Sequence, residues 1–251
     1  MNLFSRRALA AAVALLGAAP AARALRFDPV YIYLRRDDPA TLVKLTNDST
    51  VTTRYQVTVF AWSQNAQGEI QLTPTRDILF FPTVFALAPG EQRGIRIGTT
   101  ASFTPPEKTY RVLIEELPPD SAAAPAQRGI QFQVRSRISL PIFVEPPNPV
   151  STARIDGVEF AGSVMSAKLR STGNAHLHLR AIRVAALGGS GEVVQERKWS
   201  AGYLLPGGER HLSEAVPPER CNAVRTVRID VQTEHGSLTE TVQAPKSACV
   251  R

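Results

Sequence analysis

The chain has few of the residues from which metal centres and redox sites are built. Its 251 residues include two cysteines and four histidines. The cysteines do not form a Cys-x-x-Cys pair, and neither a Gly-rich phosphate loop nor a nucleophile elbow is present. His176 and His178 could share one strand face and bind a metal with Asp230. Leu177 and Leu179 occupy the opposite face, so the two histidines could equally lie on the solvent side of an ordinary strand. The sequence therefore predicts no catalysis, no metal and no cofactor.

Concentrated basic patches and long hydrophobic runs are also missing. The formal net charge is +7, from 29 Lys and Arg against 22 Asp and Glu. These basic residues are dispersed, whereas nucleic-acid binding requires a patch. Beyond residue 24 no segment approaches the roughly 18 apolar residues of a membrane span. We expect a soluble mature chain with no nucleic-acid partner that is not an integral membrane protein.

Residues 1–24 have the features of an export signal. Arg6 and Arg7 precede a run rich in Ala, Leu and Val, which ends at the small-x-small site Ala22-Arg23-Ala24. This order is typical of a cleaved secretory signal peptide. General secretion is favoured, and the Arg pair leaves the twin-arginine route open. The mature protein is then exported.

Both cysteines, Cys221 and Cys249, lie near the end of the chain. In an exported protein an isolated pair favours a disulfide. The alternative is a pair of unpaired buried thiols.

Strand signals recur every 8–15 residues, and no window shows sustained helical periodicity. The segments before residue 145 are separated by turn residues such as Pro89-Gly90, which suits an immunoglobulin-like sandwich. In the strand "TTRYQVTVFAW", Val57, Val59, Phe60 and Trp62 are predicted core or near-core residues. The proline-rich "EPPNPV" then forms a stiff joint before a second set of strands. We predict an all-β protein, with a signal peptide at 1–24, an immunoglobulin-like domain at 25–146 and a second β-sandwich at 147–251.

The stretch "GIQFQVRSRISLPIFV", residues 129–144, alternates apolar and polar residues and would form one strand of roughly 50 Å. That length is about twice what a small sandwich uses. Ile138, Leu140, Ile142 and Val144 would face the protein's own core. The earlier apolar positions are Ile130, Phe132 and Val134. They would form an open edge to which a partner could add a strand. The alternative is a long hairpin packed within its own sandwich.

A partner strand needs its register fixed, because a slip of one residue reverses its faces. A carboxylate held by a basic side chain would fix it. The candidates near the long strand are Arg111, Arg137 and Arg96, although each could equally be a solvated or interstrand charge.

Six segments, in this order, resemble the periplasmic pilus-assembly chaperones of the chaperone–usher pathway, and the archaic branch in particular. They extend over most of the mature chain: "LTND" at 45–48, "VFAWSQ" at 59–64, "LAPGEQRGIRI" at 87–97, "YRVLIEELP" at 110–118, "ISLPIFVEP" at 138–146 and "LRSTGNAHLHLR" at 169–180.

The resemblance implies an L-shaped pair of immunoglobulin-like domains in the periplasm. Such chaperones lend a strand to a pilin that lacks its last strand, and deliver it to an outer-membrane usher. The donor positions would be Ile130, Phe132 and Val134, with Ile138 next toward the core. The better-known branch has an arginine where this chain has Tyr31, so the carboxylate anchor is rearranged. A self-capping homodimer is expected in the absence of a subunit.

Two other classes compete with this interpretation. An exported adhesin or binding module with two immunoglobulin-like domains should have closed sheet edges. A metal-dependent β-sandwich oxidoreductase requires bound metal.

Overall fold

The computed structural model describes residues 25–118, 135–199, 202–245 and 248–249. Within them the protein is almost entirely β, in two successive immunoglobulin-like sandwiches. The strands of the first are β1 Leu25–Asp28, β2 Ile32–Leu34, β3 Ala40–Asn47, β4 Thr53–Gln64, β5 Ile70–Pro74, β6 Ile78–Phe81, β7 Val84–Leu87, β8 Gln92–Thr99, β9 Lys108–Glu116 and β10 Arg137–Val144.

The first sandwich packs two sheets face to face. One has the order β1-β3-β8-β6, and the other has the order β2-β10-β9-β4-β5, with β7 also paired to β4. Its core follows the alternation of the strands: Tyr55, Val57 and Val59 of β4 point inward and are buried. Gly90 turns the chain between β7 and β8 with a φ of 74°, which few residues other than glycine adopt easily.

The second sandwich follows the proline-rich segment and has its own buried core. Its sheets have the orders β11-β12-β16 and β14-β13-β17-β18, with β15 also paired to β13. Its elements are β11 Ala153–Ala161, β12 Val164–Ser171, β13 Leu177–Leu187, β14 Val193–Trp199, β15 Gly202–Leu204, β16 Glu209–Ala215, the helical turn α1 Pro218–Cys221, β17 Thr226–Thr233 and β18 Gly236–Gln243.

A disulfide joins Cys221, at the end of α1, to Cys249, as the sequence predicts. Cys221 is buried in the core of the second sandwich. The bond encloses β17 and β18, so it fixes the last strands of the chain to the body of this sandwich.

In the part of the chain that the structure describes, no helix is long and apolar enough to cross a membrane.

Candidate functional site

Strand β10 has one edge that is only partly paired. β9 pairs antiparallel with its whole length, from Arg137 opposite Glu115 to Val144 opposite Lys108. On the other side, β2 pairs in parallel with Ile142–Val144 alone. Among the described residues, no strand pairs with the second edge of 137–141. Backbone groups along such an edge can accept a further strand.

The side chains of β10 divide between two faces. Leu140, Ile142 and Val144 are buried in the core of the first sandwich, and Ile138 packs against that core while partly exposed. Arg137 and Ser139 lie exposed on the outer face. The three donor positions predicted N-terminal to this strand, Ile130, Phe132 and Val134, lie outside the described residues, and their role stays a prediction.

The structure brings together two of the three candidate arginines. Arg111 is opposite Pro141, and Arg137 is four positions earlier on β10, so both lie on the outer face of one sheet. Arg137 pairs with Glu115, with 3.0 Å between Nε and Oε1; the side chain of Arg137 is largely exposed and that of Glu115 is partly exposed. Arg96 is on β8 in the other sheet, on its outer face beside Leu42 and Phe81.

Arg111 is held at the joint between the two sandwiches. Its Cζ lies 4.1 Å from the centre of the Trp62 ring, and its Nη1 donates to Ser139 Oγ at 3.1 Å. Burial lowers the pKa of its guanidinium, and the phenol of Tyr203 opposes that shift. Among the described residues no carboxylate pairs with it. A half-buried cation without a counter-charge is a candidate anion site.

Aromatic rings from both sandwiches form the floor of this region. Phe143 and Trp62 of the first sandwich pack with Leu205 of the second, and all three are buried. The Phe143 ring stacks on that of His176, with 3.6 Å between centroids and 10° between planes. Tyr203 of β15 lies edge-on to Trp62 at 5.3 Å. The joint therefore has an apolar centre of its own.

A buried polar pair crosses the same joint. The Glu107 carboxylate lies 2.9 Å from Nδ1 of His176 and accepts from the backbone N–H of that residue at 3.2 Å. The backbone N–H of Glu107 donates in turn to the Asn174 carbonyl at 2.8 Å. Within the sandwich–sandwich contact, these bonds satisfy groups that burial would otherwise leave unpaired.

The turn between β4 and β5 makes a second contact across the joint. The backbone N–H of His211 donates to the Ala66 carbonyl at 2.7 Å. The side chain of Arg210 packs on Gly68, where an added Cβ would lie 3.1 Å from Nε of Arg210. These contacts and the aromatic centre together hold the two sandwiches against each other.

The joint corrects two expectations from the sequence. His176 does not lie on a solvent face, since it is buried between Phe143 and Glu107. Among the described residues, no group of three or more His, Cys, Asp or Glu could hold a metal ion. Trp62 is buried at the joint rather than in the domain core, and Phe60 on the same face is only partly buried.

The pattern of a single strand does not reveal the joint, because its residues come from strands of both sandwiches. Trp62 lies on the opposite face of β4 from Val57 and Val59, and those two valines fill the core. A large aromatic residue on the outward face of a central strand indicates a second covering layer. The same pattern at Phe143 would have located the surface on which the second sandwich packs.

Comparisons with known proteins agree with this architecture. Residues 24–149 match the family model for pili and flagellar-assembly chaperones, PapD N-terminal domain. No curated protein matches the chain in a sequence search.

Several solved structures share the fold at low sequence identity. The CsuC–CsuE chaperone–tip adhesion subunit complex, from archaic chaperone–usher Csu pili of Acinetobacter baumannii, is 18% identical, with a TM-score of 0.57 over 88% of this chain and 98% of that chain. The SafA pilin–SafB chaperone complex of Salmonella enterica is 14% identical, with a TM-score of 0.58 over 89% and 99%. The E. coli chaperone DraB is 17% identical, with a TM-score of 0.53 over 89% and 98%. The family match extends over half of the chain, and the chain belongs to the pilus-assembly chaperone family.

Proposed function

We propose that this chaperone binds pilin subunits in the periplasm by donor-strand complementation. The observation that supports this most is the open edge of β10 at 137–141, in a strand whose sequence continues toward Ile130, Phe132 and Val134. A subunit that lacks its last strand would pair with this edge and bury the three apolar side chains. Each would contribute roughly 1.5–3 kcal/mol before the cost of ordering.

Arg111 is the favoured anchor for the carboxylate at the end of the subunit. Its guanidinium donates a hydrogen bond to Ser139, which lies on the open edge, and has no acidic partner among the described residues. Arg137 already pairs with Glu115, and Arg96 belongs to the other sheet. An ion pair in this half-buried setting would fix the register of the added strand.

The captured subunit would then pass to an outer-membrane usher. Folding of the subunit supplies the driving force, so the proposal requires neither catalysis nor a nucleotide. Two of the similar structures are complexes with a tip adhesion subunit and with a pilin, which supports a subunit as the partner.

The remaining assignments concern processing and domain limits. We place signal-peptide cleavage near Ala24 and the domain boundary between residues 146 and 147. The two separate buried cores, formed by residues up to 144 and from 153 onward, support that boundary.

The proposal is tested by capture of partners from a periplasmic extract, comparing the wild-type protein with Phe132→Asp. We expect a small exported β-protein to co-purify with the wild type and to be lost with the variant, because a charge replaces an apolar donor side chain. Gln133→Asp is the matched control, since it adds the same charge to the opposite face and should retain the partner. Retention of the same partner by Phe132→Asp would show that the strand is not a donor.

A further inference from the structure

A proline interrupts the backbone donors of β10, the strand that carries the open edge. Pro141 lies within Arg137–Val144 and has no backbone N–H to offer to a neighbouring strand. Inside a sheet, proline is tolerated where the missing N–H would face an unpaired edge. The role of Pro141 therefore depends on the edge toward which its nitrogen points.

Two backbone hydrogen bonds establish that direction. The N–H of Glu116 donates to the Ser136 carbonyl at 2.9 Å, so residue 136 faces β9. The N–H of Glu145 donates to the Leu34 carbonyl at 3.0 Å, so residue 145 faces the opposite edge, where β2 lies. The register between β9 and β10 is continuous from 137 to 144, and backbone groups alternate between the two edges of a strand. Odd-numbered residues of β10 therefore face β2 and the open edge, and the nitrogen of Pro141 is among them.

The pairing of β2 with β10 ends at this proline. β2 pairs with Ile142–Val144. In steps of two along both strands from the Glu145–Leu34 bond, the N–H of residue 141 would donate to the Val30 carbonyl. Proline cannot make that bond, and Val30 lies outside β2 with 48% of its surface exposed. On the other side β10 keeps its pairing with β9, because the nitrogen of Pro141 does not face that strand.

We infer that Pro141 stops β2 and thereby keeps residues 137–140 of the edge free for the strand that a subunit adds. This inference rests on the proposed function and extends it, because it makes Pro141 a positioning residue for subunit binding. The added strand cannot continue past the same residue, since β2 occupies the edge beyond it. A fixed end restricts the register of the added strand, and the register decides which of its faces meets the core.

The first test is residue-resolved hydrogen exchange on the full chain of the Pro141→Ala variant, without a subunit. This substitution supplies an amide at position 141, and we expect β2 to extend and bond to it. The new amide should exchange at least about ten-fold more slowly than that of Ser139, which faces the same edge two residues away. Both amides belong to one protein, so a general loss of stability affects them alike. Pro141→Val repeats the test with a residue that favours strands.

The second test repeats the capture from a periplasmic extract with Pro141→Ala. A subunit would have to displace the extended β2, so we expect about two- to ten-fold less partner than with the wild type, as competition with one backbone hydrogen bond predicts. Pro89→Ala is the matched control and should recover the wild-type amount, because Pro89 is exposed in the turn between β7 and β8.

The outcomes separate this inference from the donor-strand proposal. A new amide that exchanges as fast as that of Ser139 would overturn the inference, since β2 would then stop for another reason. A protected amide with undiminished capture would also overturn it, because the extended β2 would not compete with a subunit. If the wild type captures no partner, the donor-strand proposal fails and the role of Pro141 in subunit binding fails with it, whereas the exchange measurement still decides whether Pro141 stops β2.

Discussion

At the scale of single residues, Glu107 and His176 form a buried polar pair at the joint. The side chains are 0% and 8% exposed, and the ring is also covered by Phe143. Removing one side chain of such a buried pair leaves the other with fewer partners than its burial requires, which costs much more than losing a surface pair. The joint therefore depends on two residues that no local sequence pattern identifies as partners.

His176→Ala should lower the free energy of unfolding by about 3 kcal/mol, because it leaves the buried Glu107 carboxylate with only the backbone N–H of residue 176 and removes the stacking on Phe143. Denaturant titration measures the change. His211→Ala is the control, since His211 pairs with Glu209 at 2.7 Å with both side chains partly exposed, and should cost about 1 kcal/mol or less. Equal losses in the two variants would contradict the structural role of the buried pair.

At the scale of elements, β10 contributes side chains to the core of the first sandwich and also carries the open edge at 137–141. Its inward side chains complete the first sandwich, while the outward Ser139 contacts Arg111. β2 leaves the segment before Ile142 unpaired on one side. The strand can therefore accept a partner through its backbone without giving up its own core contacts.

Leu140→Ala should destabilise the first sandwich by about 2–5 kcal/mol, because it opens a cavity where Leu140 is 7% exposed. Thermal or denaturant unfolding would measure this. Arg137→Ala, on the outer face of the same strand and paired with Glu115 near the surface, should change stability by about 1 kcal/mol or less. A small effect of Leu140→Ala would mean that the described face of β10 does not contribute to the core.

At the scale of the whole molecule, the two sandwiches are stabilised by different means. The first encloses a core built from both of its sheets. The second adds the Cys221–Cys249 bond, which closes a loop across a separation of 28 residues and ties down the last strands. In the chain-entropy account, such a bond stabilises mainly by restricting the unfolded chain.

Reduction of the disulfide should therefore lower the stability of the second sandwich by about 3–4 kcal/mol. Hydrogen exchange with and without reductant would show the loss in β17 and β18, whereas the core strands of the first sandwich should keep their protection. In a Cys221→Ala/Cys249→Ala variant the reductant should have no effect. Unchanged exchange of β17 and β18 in the reduced wild type would contradict this prediction.

Much of the fold could be predicted because it follows from local rules. Alternation placed Val57, Val59, Leu140 and Ile142 in a core, and export together with an isolated cysteine pair predicted the disulfide. The carboxylate-anchor site was harder to predict from the sequence than the fold. Arg111 was one of three candidates. The structure distinguishes it because Arg137 pairs with Glu115 and Arg96 lies in the other sheet, whereas Arg111 stacks on Trp62.

The sequence by itself determined the all-β class, the two units on either side of the proline-rich segment and the inward face of each long strand. These depend on side-chain period and turn residues, which are properties of neighbouring positions. The tertiary structure alone decided which aromatic side chains meet at the joint, namely Trp62, Phe143, His176 and Tyr203. It also decided that Glu107 pairs across the joint and that Arg111 has no acidic partner among the described residues. Those features arise from the packing of one sandwich on the other, which brings together residues up to about 140 positions apart, and such contacts leave no periodic signal along the chain.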